Sequence, residues 1–172
     1  MGCKESMRIL AIDPSGNFNE GKGTTGWSLF TDNKELLNFG QIKASDYDNV
    51  YEYTQEHINL ITKYTPDIVV IEDFKLYADK AKNQINSRFE TPKLIGTLQF
   101  YCYKNNIPTF LQSANEVKTR WNDDILLYYN IIQKHGNKYY INEILVSDHI
   151  RDSIRHGIHF TTFKLGKVAN ND

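Results

Sequence analysis

Arg8-Ile9-Leu10-Ala11-Ile12-Asp13 and Asp67-Ile68-Val69-Val70-Ile71-Glu72 are two short apolar runs, each closed by a carboxylate. Both are rich in branched side chains and bounded by Pro or Gly signals, which predicts buried strands. A helical segment lies between them, so they are expected to pair in parallel. Parallel neighbours align their C-terminal ends, which brings Asp13 and Glu72 about one strand spacing apart, roughly 4.8 Å. Two carboxylates that close repel each other, and each favours protonation unless a cation stands between them. Magnesium suits that position because it takes carboxylate oxygens and also holds phosphate oxygen. Taken singly, Asp13 is as well explained by a turn before Pro14, and Glu72 with Asp73 by an ordinary strand end.

A third spot shifts the balance. His149 and Asp152 are three apart in an amphipathic stretch, which places both on one helix face. An imidazole and a carboxylate there can complete a divalent metal site opposite the strand carboxylates. Asp148 is a candidate N-cap or substitute ligand. His156, four past Asp152, and His159 read more simply as surface or core histidines.

Between and around these runs the pattern is mixed. Thr24 to Phe30 and Glu35 to Ile42 predict two further strands in an antiparallel meander with the first. Ser45 is the expected N-cap of a helix carrying Val50, Tyr53, His57, Ile61 and Tyr64, which ends before Pro66. A helix over Glu90 to Asn105, a strand over Ile107 to Leu111, and a short helix capped by Ser113 follow. Ile125 to Lys134 and Asp148 to Phe160 are expected to be helical, separated by a break at Gly136 and Asn137. Three strands, a helix, a strand, a helix, a strand and then helices describe an α/β fold: a five-stranded mixed sheet flanked by helices, of ribonuclease H-like topology.

The chain has 172 residues, 40% hydrophobic and 24% charged, enough for one soluble domain. Residues 7–160 are assigned to that domain, 1–6 to a dispensable leader and 161–172 to a C-terminal tail. Met1-Gly2-Cys3-Lys4-Glu5-Ser6 also fits an acylation pattern, which has force only where a myristoyl transferase is present. Cys3 and Cys102 are too few for a disulfide framework, and no apolar run has membrane-spanning length, which together point to a reducing cytoplasm. A formal net charge of −1 argues against general nucleic-acid affinity. Locally, Lys75, Lys80, Lys82, Arg88 and Lys93 outnumber Asp79 and Glu90 just after Glu72, so a cationic face beside an acidic site is expected. Gly16 to Gly23 nearly matches a Walker A loop, but Gly23 stands where Ser or Thr is needed and a strand follows where a helix is required. An actin-like kinase would need two such domains.

The order Ile-Leu-Ala-Ile-Asp-Pro-Ser, Thr-Gly-Trp, Val-Val-Ile-Glu, Leu-Ile-Gly, Val-Lys and His-x-x-Asp resembles the RuvC family of Holliday junction resolvases, particularly divergent phage forms. The resemblance spans Met7 to about Phe160. It implies catalytic and metal-binding roles for Asp13, Glu72, His149 and Asp152, with His149 at a position that is usually Asp in the family. It implies a catalytic role for Lys118, in the short helix after the fifth strand. Phe74 and Tyr77 match the aromatic that the family places after its Glu, where a ring can stack on an unpaired base. The implied protein is a homodimeric, Mg2+-dependent endonuclease, with Mn2+ also supporting activity. It would cleave four-way junctions and other branched DNA during recombination and repair, in the host cytoplasm if phage-encoded. The rival readings are another ribonuclease H-like nuclease acting on RNA or flaps, and a catalytically silent binder of branched DNA.

Overall fold

The alternation of side chains along the central strands sorts the core into two layers. In the computed structural model, which describes residues 6–75 and 89–168, β1 (Arg8–Asp13) pairs in parallel with β4 (Ile68–Asp73) and antiparallel with β2 (Thr24–Thr31). β3 (Leu36–Lys43) and β5 (Thr109–Ser113) complete a mixed sheet of order β3-β2-β1-β4-β5. Leu10, Ile12, Val69 and Ile71 face one side, where α1 (Val50–Tyr64) and α2 (Glu90–Lys104) bury Leu60, Ile61, Leu94 and Leu98 against them. Ile9, Ala11, Ile68 and Val70 face the other, under Ile150, Ile154 and Ile158 of α5 (Asp148–Phe163). With a strand period of two, Asp13 and Glu72 continue the second set, and so are directed to the α5 face. The sheet is thus the five-stranded ribonuclease H-like one expected.

Local signals set the helix ends with some departures from expectation. Asn49, rather than Ser45, caps α1, accepting 3.0 Å hydrogen bonds from the N–H groups of Tyr51 and Glu52. Ser45 lies instead in a 3-10 turn, Ala44–Asp46. β5 starts at Thr109, after Pro108. Ser113 precedes α3 (Ala114–Arg120) without a side-chain cap bond. The predicted helix over Ile125 to Lys134 is wrong in its second half. α4 (Asp123–Tyr128) is short, Asn130 takes a left-handed conformation, and a three-stranded meander follows: β6 (Gln133–His135), β7 (Lys138–Ile141) and β8 (Ile144–Val146). A short helix, α6 (Leu165–Val168), follows α5. Tyr77, Lys80, Lys82 and Arg88 lie outside the described residues, as do residues 1–5 and 169–172. Among the described residues no helix is long and apolar enough to cross a membrane.

A buried polar network fixes the chain as it leaves β1. His57 of α1 is fully buried, and its Nδ1–H donates to the Tyr53 carbonyl at 2.7 Å. The bare Nε2 therefore accepts from the Thr25 hydroxyl at 2.8 Å. Thr25 Oγ1 in turn accepts from the Ser15 N–H, and the Tyr53 hydroxyl donates to the Ser15 carbonyl at 2.6 Å. Two residues past Asp13, both backbone groups of Ser15 are thereby held.

Burial lowers the His57 pKa to about 4, against an ordinary 6.5. Between those values the unfolded chain binds a proton that the folded chain refuses, so this group's contribution to stability falls as pH drops from 6.5 toward 4. The loss is up to about 3 kcal/mol. Denaturant titrations of wild type and His57→Gln at pH 7 and pH 4.5 should show a smaller acid loss in the variant. Equal losses would contradict a neutral buried His57.

Candidate active site

Close approach of α5 to the sheet requires a missing side chain. Gly26 of β2 lies opposite Asp13, and a Cβ there would come within 2.0 Å of the His149 carbonyl oxygen and 2.1 Å of its carbon. Those are backbone atoms, so nothing flexible can yield. Ser147 caps α5, accepting from the Ile150 N–H at 3.3 Å and donating to Gln41 Oε1 at 2.9 Å. Asp148 is therefore not the cap. It is exposed and accepts from Arg151 at 2.6 Å.

On α5, His149, Asp152, His156 and His159 form one stripe at spacings of three and four, beside the apolar stripe that packs on the sheet. The stripe meets the strand ends as follows. His149 Nδ1 stands 2.8 Å from Asp13 Oδ2. Lys118, on α3, places Nζ 2.8 Å from Asp152 Oδ2 and 4.0 Å from Glu72 Oε2. Fully buried His156 lies 2.9 Å from both Glu72 Oε2 and Gln112 Oε1. Gln112 is the cross-strand neighbour of Glu72 in β5, which explains why one imidazole reaches both. Arg155 closes on Asp152 and Asp123, and its Nε donates to the Trp121 carbonyl at 2.7 Å.

The fold brings Asp13, Glu72, His149, Asp152 and Lys118 to one end of the sheet. His156, which reads from sequence as an ordinary histidine, joins them. Its position seven residues after His149, on the same helical stripe, is the signal that could have found it. His159 contacts Glu116 at 3.2 Å and takes no part. Phe74 and Lys75 line a cleft of about 220 Å³ with Glu72 and Pro14, at the rim of the cluster. Lys93 is set apart, lining a second cleft of about 380 Å³ with Gly16 and Tyr51.

The electrostatics follow from burial and crowding. Burial pushes the Asp13 pKa up, the Glu72 and Asp152 charges add to that, and the His149 hydrogen bond only partly offsets it. The bond to Asp13 in turn raises His149, against the effect of burial. Burial would raise Glu72 too, but His156, Lys118 and His149 outweigh it and hold the carboxyl below its ordinary value. For Lys118, burial disfavours the ammonium, and the bond and charge of Asp152 with that of Glu72 more than restore it. Among the described residues no three His, Cys, Asp or Glu side chains are closed into a metal cage. Each carboxylate is turned to a partner within the protein. The donors nevertheless suit a divalent cation, being carboxylate oxygens with one imidazole.

No protein-family model and no curated protein matches the sequence. The fold matches solved structures. Thermus thermophilus RuvC in complex with Holliday junction substrate superposes with a TM-score of 0.64 at 16% identity, covering 93% of this chain and 96% of that one. The Fowlpox virus resolvase in complex with substrate Holliday junction DNA gives 0.54 at 14% identity, covering 92% and 99%. The protein therefore has the RuvC-like, ribonuclease H-like resolvase fold.

Gly26→Ala should force α5 away from Asp13 and cost roughly 1–3 kcal/mol of stability, as overpacking a tight contact does. Chemical denaturation measures this. A loss under about 0.5 kcal/mol, within the ordinary range for a surface change, would mean that His149 does not approach β2 so closely.

Proposed function

We propose that the protein is a metal-dependent, structure-selective DNA endonuclease that hydrolyses phosphodiester bonds in branched DNA, four-way junctions above all. The observation that carries this reading is the gathering of Asp13, Glu72 and Asp152 at one sheet end with His149 and Lys118 among them. The likeness of fold to two proteins solved with Holliday junction DNA supports the choice of substrate.

Asp13, Glu72, His149 and Asp152 would hold the cation, Mg2+ or Mn2+. When bound, it supplies charge neutralisation at the phosphate and activation of water. The residues of the chain do the rest. Lys118, kept charged by Asp152 and Glu72, offers its ammonium to the negative charge that builds on phosphoryl oxygens as water attacks and the P–O bond breaks. His156, pinned by Gln112, holds the Glu72 carboxylate in one orientation. Phe74 and Lys75, which line the cleft beside Glu72, would meet a base and a phosphate.

Symmetric cutting of a four-way junction needs two such sites related by a twofold axis, so the working form is proposed to be a homodimer. Phe100 and Tyr103, three apart on α2 and 64% and 77% exposed, would offer apolar surface for it.

Asp13→Asn and Glu72→Gln should abolish junction cleavage while leaving binding intact or tighter, because each removes negative charge facing the phosphate. Near-normal cleavage by either variant, read on a denaturing gel, would remove that residue from the site. Lys118→Ala should slow single-turnover cleavage at saturating enzyme by about 10²–10³-fold with little change in affinity. A loss below about threefold, less than 1 kcal/mol, would make Lys118 structural only. His149→Asp should weaken the preference for manganese over magnesium, since imidazole suits softer ions than carboxylate does. An unchanged preference counts against His149 as a ligand.

A further inference from the structure

The meander that replaces the expected helix has two chemically distinct faces. Strand pairing sets Gln133 opposite Tyr140 and Tyr140 opposite Leu145, with His135 opposite Lys138. Directly opposed residues share a face, so Gln133, His135, Lys138, Tyr140 and Leu145 point the same way. The other face carries Tyr139, Ile141 and Val146 and packs into the core beneath α5. Apart from half-buried Tyr140, the first face is exposed. It holds hydrogen-bond donors and one apolar side chain, and it carries no carboxylate. The His135 ring meets the Tyr140 ring edge-on, with centroids 5.4 Å apart.

Register also fixes where the charge lies. Tyr139 pairs with Val146, so Lys138 falls beside Ser147, the cap of the helix that carries His149. The turn holding the meander's acidic residue, Glu143, is at the opposite end of β7 and β8. Asp148 is the nearest acid on the helix, and Arg151 neutralises it. Arg151 also stacks 4.1 Å from the centre of the Tyr139 ring and donates to the Val146 carbonyl at 3.4 Å. The meander is therefore fastened to the catalytic helix itself. Lys138 and Leu145, with Gln41 and Ser147, line a cleft of about 250 Å³ running to the start of that helix.

We propose that the outward face of β6–β8 is a second DNA-contact surface, which takes the sugar–phosphate backbone of a duplex arm leaving the site on the β3 side. Phe74 and Lys75 lie on the β4 side, so the two surfaces flank Asp13. Lys138, His135 and Gln133 supply donors to phosphate oxygens, whereas Lys134, opposite Tyr139 on the other face, holds its ammonium over that ring, 5.5 Å from its centre. Tyr140 and Leu145 supply contact to the sugars. A face rich in donors and free of carboxylates complements a polyanion better than it does an ordinary protein surface.

This surface rests on the proposed nuclease reading, and the test separates the two. Junction affinity is measured by fluorescence anisotropy across a salt series for wild type, Lys138→Ala, Lys138→Glu and Tyr140→Ala, with Lys63→Ala at the far end of the sheet as control. Lys138→Ala should lower the slope of log affinity against log salt by up to about 1, because a lysine that no longer neutralises a phosphate removes about that much. Lys138→Glu should bind more weakly than wild type or Lys63→Ala, and Tyr140→Ala should lose affinity with the slope kept. Lys63→Ala should bind and cleave as wild type does. Unchanged affinity and slope in Lys138→Ala, with wild type binding and cutting normally, would overturn the surface alone. Failure of wild type to bind branched DNA would overturn the nuclease reading beneath it.

Discussion

The structure depends on one constraint, the parallel pairing of β1 with β4. It aligns two apolar strands so that the residue after each paired stretch is a carboxylate on the same face, next to an equally confined neighbour. Buried like charges are costly, and the surrounding residues read as the response. Lys118 reaches across from α3 to Asp152 and Glu72, His149 meets Asp13, His156 meets Glu72, and Arg155 closes on Asp152. Even so, Asp13 is left with a raised pKa by its burial and by the Glu72 and Asp152 charges. Asp13 is therefore the carboxylate of the cluster least at ease as an anion, and a bound divalent cation would relieve it most.

Precision in that centre comes from elements that do no chemistry. Gly26 lets the backbone of α5 lie against β2, and the apolar stripe Ile150, Ile154 and Ile158 fixes the rotation of the helix so that its polar stripe meets the strand ends. On the opposite side of the sheet, the His57 and Thr25 network holds Ser15 and with it the exit of β1. Gln112 sets the imidazole that sets Glu72. Each of these groups has its position overdetermined by packing or hydrogen bonds, which is how a site keeps charged residues aligned despite their repulsion.

Much of this is legible in the sequence because it rests on short patterns. The unbroken apolar runs Ile9 to Ile12 and Ile68 to Ile71 mark buried strands, and their parallel pairing brings together the carboxylates that close them. The three-residue spacing of His149 and Asp152 puts both on one helix face. His156 is legible only as a member of the helical stripe, and its partners are not, since they come from β4 and β5 and only the folded register makes Glu72 and Gln112 neighbours. The meander escapes a sequence reading for a different reason. Its strands are only three or four residues long, and its second turn uses Asn142 and Glu143 at positive φ, where an Asn-Gly pair would have announced a hairpin. Asn130 breaks the helix without the Gly or Pro that usually signals a stop.

Charge gathered by β1 and β4 makes, on this account, a cation-dependent centre for cutting branched DNA. The most direct measurement follows strand cleavage of a labelled four-way junction by the purified protein with magnesium, with manganese and with EDTA, beside a linear duplex of the same sequence. The account predicts paired nicks at symmetry-related positions in the junction, only when a divalent cation is present, and little cutting of the duplex. Equal cleavage in EDTA, or equal cleavage of duplex and junction, would contradict it.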